Sequence, residues 1–218
     1  RRLCRRSGQS HCPLSRLYRP IVEPTEDRDG FWLGGGNAVR DPSDGSLLLI
    51  GRYRDAGDSR TGLAQGTRGR ELAIFRSTDN GRSFCKIRSC DKSDLYCGSV
   101  VLSIEGSALR INKRRVEVLV STEKVRTYPR QLQDFQKPGT GIWSIDRFSA
   151  TRIDKLDPQD NITPLLSSDD PAYLHVKAPS ISSGFQRGRS LLIYCAHPYT
   201  WSSSTSGYAL LDKDMPTG

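Results

Sequence analysis

Two carboxylates sit at strand-end turns of this chain, Asp41 in Arg40–Asp41–Pro42 and Glu105 in Glu105–Gly106. A facing pair of acids is what cleavage of a glycosidic bond requires. One protonates the leaving oxygen and the other acts as base or nucleophile, at about 5 Å for retention or about 6.5–9.5 Å for inversion. Asp41 is the expected base or nucleophile and Glu105 the expected acid. Pro42 biases Asp41 towards an extended conformation, which helps hold it in place. Arg40, Arg52, Lys177 and His175 are the substrate-binding candidates, able to orient an anionic or hydroxyl-rich sugar. Glu71, Glu123 and Lys124 could reach the same face. Tyr194, Trp143 and Trp201 are read as packing residues and His197 as an exposed loop residue. Ser202–Ser203–Ser204 shows no nucleophile elbow. The alternative for Asp41 is an Asx-turn closing a strand end, and for Glu105 a solvated strand end.

The elements that would position these groups recur three times. The first copy runs through Gly36–Pro42, Ser46–Arg54 and Glu71–Arg76. The second runs through Ser99–Gly106, Arg115–Ser121 and Gly141–Arg147, and the third through Tyr173–Pro179, Ser190–Cys195 and Gly207–Asp212. A long period built only from strands predicts an all-β fold, a β-propeller of four-stranded antiparallel blades. The expected blades are about 31–87, 99–156 and 172–218, in one domain, after an irregular basic arm over 1–30. Aligned on this repeat, Asp41, Glu105 and Ala178 would face one central channel. Closed propellers have about 4–8 blades. Three predict a fragment of a five-bladed propeller, or one completed by a further chain or segment. A polar excursion, Lys124–Thr140, lies between the second and third strands of blade two, and loops of that length are commonly functional or disordered. Asp157–Asp170 reads as a connector.

The constellation resembles the five-bladed propeller glycosidases: the arabinanase and xylosidase group, the invertase and levansucrase group, and the mannoside phosphorylase relatives. The resemblance covers about Gly34 to Leu211. It implies an inner-strand Asp-Pro at Asp41–Pro42, a further acid at Glu105, and a third at Ala178, where this chain has none. That departure implies an altered or inactive site. Separately, Ser77–Thr78–Asp79–Asn80–Gly81–Arg82–Ser83–Phe84 resembles the Asp-box of sialidases and related propellers, with Ser83 and Phe84 in place of Thr and Trp. Its physics is that of a folding device: Asp79 accepts from turn amides, Gly81 supplies positive φ and Phe84 enters the core. A sialidase-like exo-glycosidase would need three converging arginines, for which Arg40, Arg52 and Arg54 are the candidates.

The bulk properties fit these readings. The 218 residues suffice for one domain with a substantial core. No stretch approaches the roughly 18 apolar residues of a membrane span. The net charge of +9 fits a basic surface or a polyanionic partner. No nucleic-acid motif is present, so an acidic oligo- or polysaccharide is the better polyanion. The spacing of the six cysteines lacks the CxxC of a zinc ribbon, and neither a metal nor a cofactor is expected. Cys85, Cys90 and Cys97 permit disulfides, and Cys195 reads as a buried thiol. Arg1–Arg6 is followed by no apolar run of the signal-peptide type. The even cysteine count and the sequon Asn161–Ile162–Thr163 favour an exported protein. Three functions follow: a glycoside hydrolase using a carboxylate pair, a non-catalytic propeller binding glycan or protein, or the sialidase-like enzyme.

Overall fold

The computed structural model describes residues 20–27, 30–55, 69–112, 115–182, 184, 188–212 and 215–217. The basic arm expected at the start lies largely outside the described residues. Three antiparallel sheets follow one another along the chain. Blade one holds β1 (Trp32–Gly34), β2 (Ala38–Arg40), β3 (Leu47–Arg54), β4 (Glu71–Ser77) and β5 (Cys85–Asp91). Here β1 and β2 pair successive halves of β3, so they form one interrupted inner strand. Blade two is β6 (Val101–Asn112), β7 (Arg115–Lys124), β8 (Ile142–Ala150) and β9 (Thr163–Leu166). Blade three is β10 (His175–Ser182), β11 (Ser190–His197), β12 (Thr205–Asp212) and β13 (Met215–Thr217). The segment read as a connector therefore supplies the outer strand of blade two. No described helix is long and apolar enough to cross a membrane.

The second strand of blade two shows why the sheets stack. Side chains alternate across a strand, yet all of β7 after Arg115 is buried. Val116, Val118 and Val120 pack with Leu48, Ile50, Leu72 and Ile74 of blade one. Leu119 points the other way, into a cluster with Ile145, Leu192 and Leu211. Both faces of the middle blade are thus covered, so the polar residues buried with the valines and leucine, such as Glu117, Thr122 and Lys124, need partners. Charged side chains at these interfaces find partners. Arg110 donates to Glu117 and, at 2.5 Å, to Ser190 of blade three. Lys124 and Thr122 both donate to the fully buried Asp146, each at 2.6 Å. Burial pushes the Asp146 carboxyl up from its ordinary range, and Lys124 opposes the rise.

Each inner strand is interrupted at the same place. In blade two the register jumps from Ile104↔Thr122 to Ser107↔Val120, so Glu105–Gly106 stands against Ser121 alone. In blade three it jumps from Lys177↔Cys195 to Ser180↔Ile193, leaving Ala178–Pro179 against Tyr194. In blade one Gly34 pairs Arg52 and the Ile50 N–H donates to the Asn37 carbonyl, leaving Gly35–Gly36 against Gly51. These two-against-one bulges let neighbouring blades touch. The Ser107 N–H donates to the Gly35 carbonyl at 2.6 Å, and the Ala178 N–H to Ser121 Oγ at 2.8 Å. The residue of blade one equivalent to Glu105 and Ala178 is therefore Gly35, and the expected equivalence with Asp41 is corrected. Asp41 lies further along, where β2 turns into β3.

The turn at Ser77–Phe84 joins β4 to β5. Asp79 Oδ1 accepts from the Arg82 and Ser83 amides and from Ser77 Oγ, and Oδ2 accepts from Ser83 Oγ. These donors hold its carboxyl well below the usual range, the Ser83 hydroxyl most of all. Phe84 packs with Tyr53, Ala73 and Phe75, as a folding role requires. Cys85, Cys90, Cys97 and Cys195 are not bonded to one another, and Cys195 is only partly buried. Burial raises the Cys90 thiol to about 12, which leaves it an unreactive thiol.

Candidate functional site

A cavity of about 460 Å³ opens between blades two and three. Blade two lines it with Glu105, Glu123 and Trp143, and blade three with Lys177, Tyr199, Thr200 and Trp201. The excursion expected to be functional or disordered is an ordered cover, contributing Tyr128, Phe135, Lys137 and Thr140. It contains a short 3-10 helix of about two turns, Arg130–Phe135. Gln136 staples it: its Oε1 accepts from the Tyr128 N–H, and its Nε2 donates to the Arg126 and Thr140 carbonyls. Phe135 meets Tyr199 edge-on, with ring centres 4.9 Å apart.

Glu105 projects from the blade-two bulge into this cavity. Lys177 Nζ donates to its Oε2 at 2.7 Å, and Arg52 Nη2 stands 3.8 Å from its Oε1. Arg52 is otherwise buried, with its guanidinium 4.3 Å above the Trp32 ring. Three blades thus meet at one carboxylate, a convergence that depends on the bulges. Glu123 lies on the same face of β7 as Ser121, two residues further along. It pairs across the sheet with Trp143 and accepts the Gly141 N–H at 3.0 Å. It is almost fully buried, yet it lines the cavity.

His175 stands beneath the cavity floor and is fully buried, so it is not available to touch a ligand. That corrects its expected role in substrate binding. Its Nδ1 accepts the Trp143 N–H at 3.4 Å and its Nε2 lies 2.8 Å from Tyr128 Oη. The backbone donor assigns the proton to Nε2 of a neutral ring. Burial, helped by His197 and Lys177, lowers its pKa to about 3, consistent with that state. His197, opposite it in the sheet, donates from Nδ1 to the Ser203 carbonyl at 3.0 Å and is likewise shifted down, chiefly by burial. Burial raises the Tyr128 hydroxyl.

The structure does not bring Asp41 and Arg40 to this site. Asp41 caps the β2–β3 turn, its Oδ1 accepting from the Ser43 N–H and hydroxyl at 2.9 and 2.7 Å. Arg40 donates to the Gly45 carbonyl in the same turn. Leu47, where that turn ends, and Arg52, which reaches Glu105, are separated by about 17 Å of extended strand. The expected pair Asp41 and Glu105 is thereby corrected: Asp41 takes the Asx-turn role. Arg40, Arg52 and Arg54 do not form a converging triad, for the same reason. Glu71 is engaged by Lys86 at 2.7 Å and Lys124 by Asp146, neither of them lining the cavity. Glu105, Lys177 and, through Glu105, Arg52 are the expected residues that do meet. Sequence reasoning missed Tyr128 and left Glu123 unplaced. The signal for Glu123 was its parity with Ser121 on a strand buried on both faces. Among the described residues, no group of three His, Cys, Asp or Glu side chains is arranged to hold a metal ion.

No protein-family model matches the chain, and no curated protein matches it. Solved structures do. An exo-1,5-α-L-arabinanase from a bovine ruminal metagenomic library is 11% identical with a TM-score of 0.58, over 91% of this chain and 61% of that one. A family 117 glycoside hydrolase from Zobellia galactanivorans is 10% identical with a TM-score of 0.58, over 88% and 57%. A family 32 β-fructofuranosidase from Bombyx mori is 11% identical with a TM-score of 0.54, over 87% and 37%. The chain therefore has the fold of the β-propeller glycosidases and spans about three fifths of the arabinanase's length.

Proposed function

We propose that this chain is part of a carbohydrate-active propeller that hydrolyses a glycosidic bond in the cavity between blades two and three. The observation that carries the proposal is the presence of two carboxylates, Glu105 and Glu123, in the wall of one cavity. Their surroundings divide the work. Lys177 and Arg52 compensate the charge of Glu105, which suits it to act as base or nucleophile. Glu123, almost fully buried beside Trp143 and lining the same cavity, takes the part of proton donor. The fold likeness to arabinanases and to a fructofuranosidase studied with sucrose supports a sugar as substrate. The test is release of reducing sugar from arabino-oligosaccharides, xylo-oligosaccharides, sucrose and acidic oligosaccharides, comparing the protein with Glu105→Gln and Glu123→Gln.

One observation favours a second reading, a propeller that binds glycan without cleaving it. Gly35 and Ala178 occupy the bulge positions equivalent to Glu105, so blades one and three supply no carboxylate there. Hydrolysis separates the two readings. Ile193 and Tyr208, paired across blade three, remain exposed at 46% and 73%. They support completion of the propeller by a further segment or chain. Export from the cell belongs to the same proposal.

A further inference from the structure

The cavity holds an aromatic surface that packing alone does not explain. Trp201 lies in a polar loop after β11, adopts a left-handed backbone with φ of 58°, and stays 39% exposed. A non-glycine residue in that conformation costs about 1–3 kcal/mol, and such strain concentrates where a side chain must be aimed. Its indole is held by three neighbours. The His175 ring stacks on it at 4.2 Å with planes 26° apart, the His197 ring lies 4.9 Å away, and Lys177 Nζ is 5.2 Å from its centre. His175 and His197 face each other across β10 and β11 and support the ring, which lines the cavity. The supporting imidazole is neutral and held from below by Tyr128 and the Trp143 backbone. The imidazole stacked on the indole thus adds no cationic charge, and the Lys177 ammonium near the ring is bonded to Glu105.

Lys177, the cation that lies over the indole, is already bonded to Glu105. An ammonium held by a carboxylate offers an anionic ligand little attraction. An electron-rich ring face suits the weakly positive C–H groups on the flat side of a sugar.

Building on the glycosidic reading of the same cavity, we propose that Trp201 is the stacking platform for a ring of a neutral sugar. The experiment is calorimetric titration of the protein, and of Trp201→Ala and Trp201→Phe, with arabinotriose, xylotriose and trigalacturonic acid. Tryptophan emission is recorded in parallel. A neutral trisaccharide is expected to bind, to change the emission, and to lose affinity about tenfold or more in Trp201→Ala while Trp201→Phe keeps most of it. Equal binding by both variants and the parent overturns the platform, and tighter binding of trigalacturonic acid overturns the neutral class. Binding that depends on Trp201 without any hydrolysis upholds the platform and overturns only the catalytic reading. Absence of binding by all three sugars overturns the platform and the glycan reading together.

Discussion

Lys177 of blade three donates a 2.7 Å hydrogen bond to Glu105 of blade two, from one interrupted inner strand to the next. The bond crosses the blade interface at the cavity wall and ties the orientation of the carboxylate to the packing of two sheets.

Replacing Lys177 by Met should therefore act on activity more than on stability. Both side chains are partly exposed, and such pairs contribute about 1 kcal/mol or less to folding. The orientation of Glu105 depends on this bond, so hydrolysis should fall by about tenfold or more. Parallel urea titrations and rate measurements check this. A loss of activity fully explained by unfolding would assign Lys177 a purely structural role.

Lys124→Met should do the reverse. Lys124 is the ammonium partner of Asp146, which has no exposure to water. Removing one member of a buried pair leaves an uncompensated charge and costs about 3–5 kcal/mol. Chemical denaturation should show a markedly lower midpoint, and the double variant Lys124→Met with Asp146→Leu should recover part of it.

A similar loss is expected of Gly106→Ala. A Cβ there would stand 2.7 Å from Ala178 Cα, a backbone atom of the next blade that has little freedom to yield. Overpacking of this kind costs about 1–3 kcal/mol. Thermal unfolding of the variant should begin well below that of the parent.

Acid should weaken the fold through His175. Its pKa is 6.5 in the unfolded chain and about 3 in the native state, lowered by burial and by His197 and Lys177. Between those values the unfolded state binds more protons. Stability is therefore full above about pH 6.5 and declines as pH falls towards 3, by at most about 1.4 kcal/mol per unit. His197 shifts in the same direction and adds to the slope. Stability measured across this range, in the parent and in His175→Phe, checks the sign: the variant should show a shallower decline.

Much of the architecture was legible because it rests on strand periodicity. The runs at Ser46–Arg54, Arg115–Ser121 and Ser190–Cys195 read as strands and make up most of the second strands of the three blades, Leu47–Arg54, Arg115–Lys124 and Ser190–His197. The site was harder to read because its geometry depends on bulges. A two-residue bulge at Gly35–Gly36 shifts which residues are equivalent across blades, and a sequence repeat aligned on charged turns placed Asp41 where Gly35 stands. Glu105 and Lys177 were legible as charged residues at the inner-strand turns of the repeat, where blade two has its bulge at Glu105–Gly106 and blade three has one just after Lys177. Tyr128 and Trp201 come from irregular segments whose paths are set by tertiary contacts, such as the Gln136 hydrogen bonds and the His175 ring stacked on Trp201, and no local pattern announces them.

In the proposed mechanism Glu105 and Glu123, and not Asp41, form the working carboxylate pair. The most direct test is reducing-sugar release by the parent protein and by Glu105→Gln, Glu123→Gln and Asp41→Asn. Both glutamate variants should lose hydrolysis while Asp41→Asn retains it, with at most a modest loss of stability from its weakened turn. Hydrolysis that survives in Glu105→Gln, or vanishes in a folded Asp41→Asn, would contradict that mechanism.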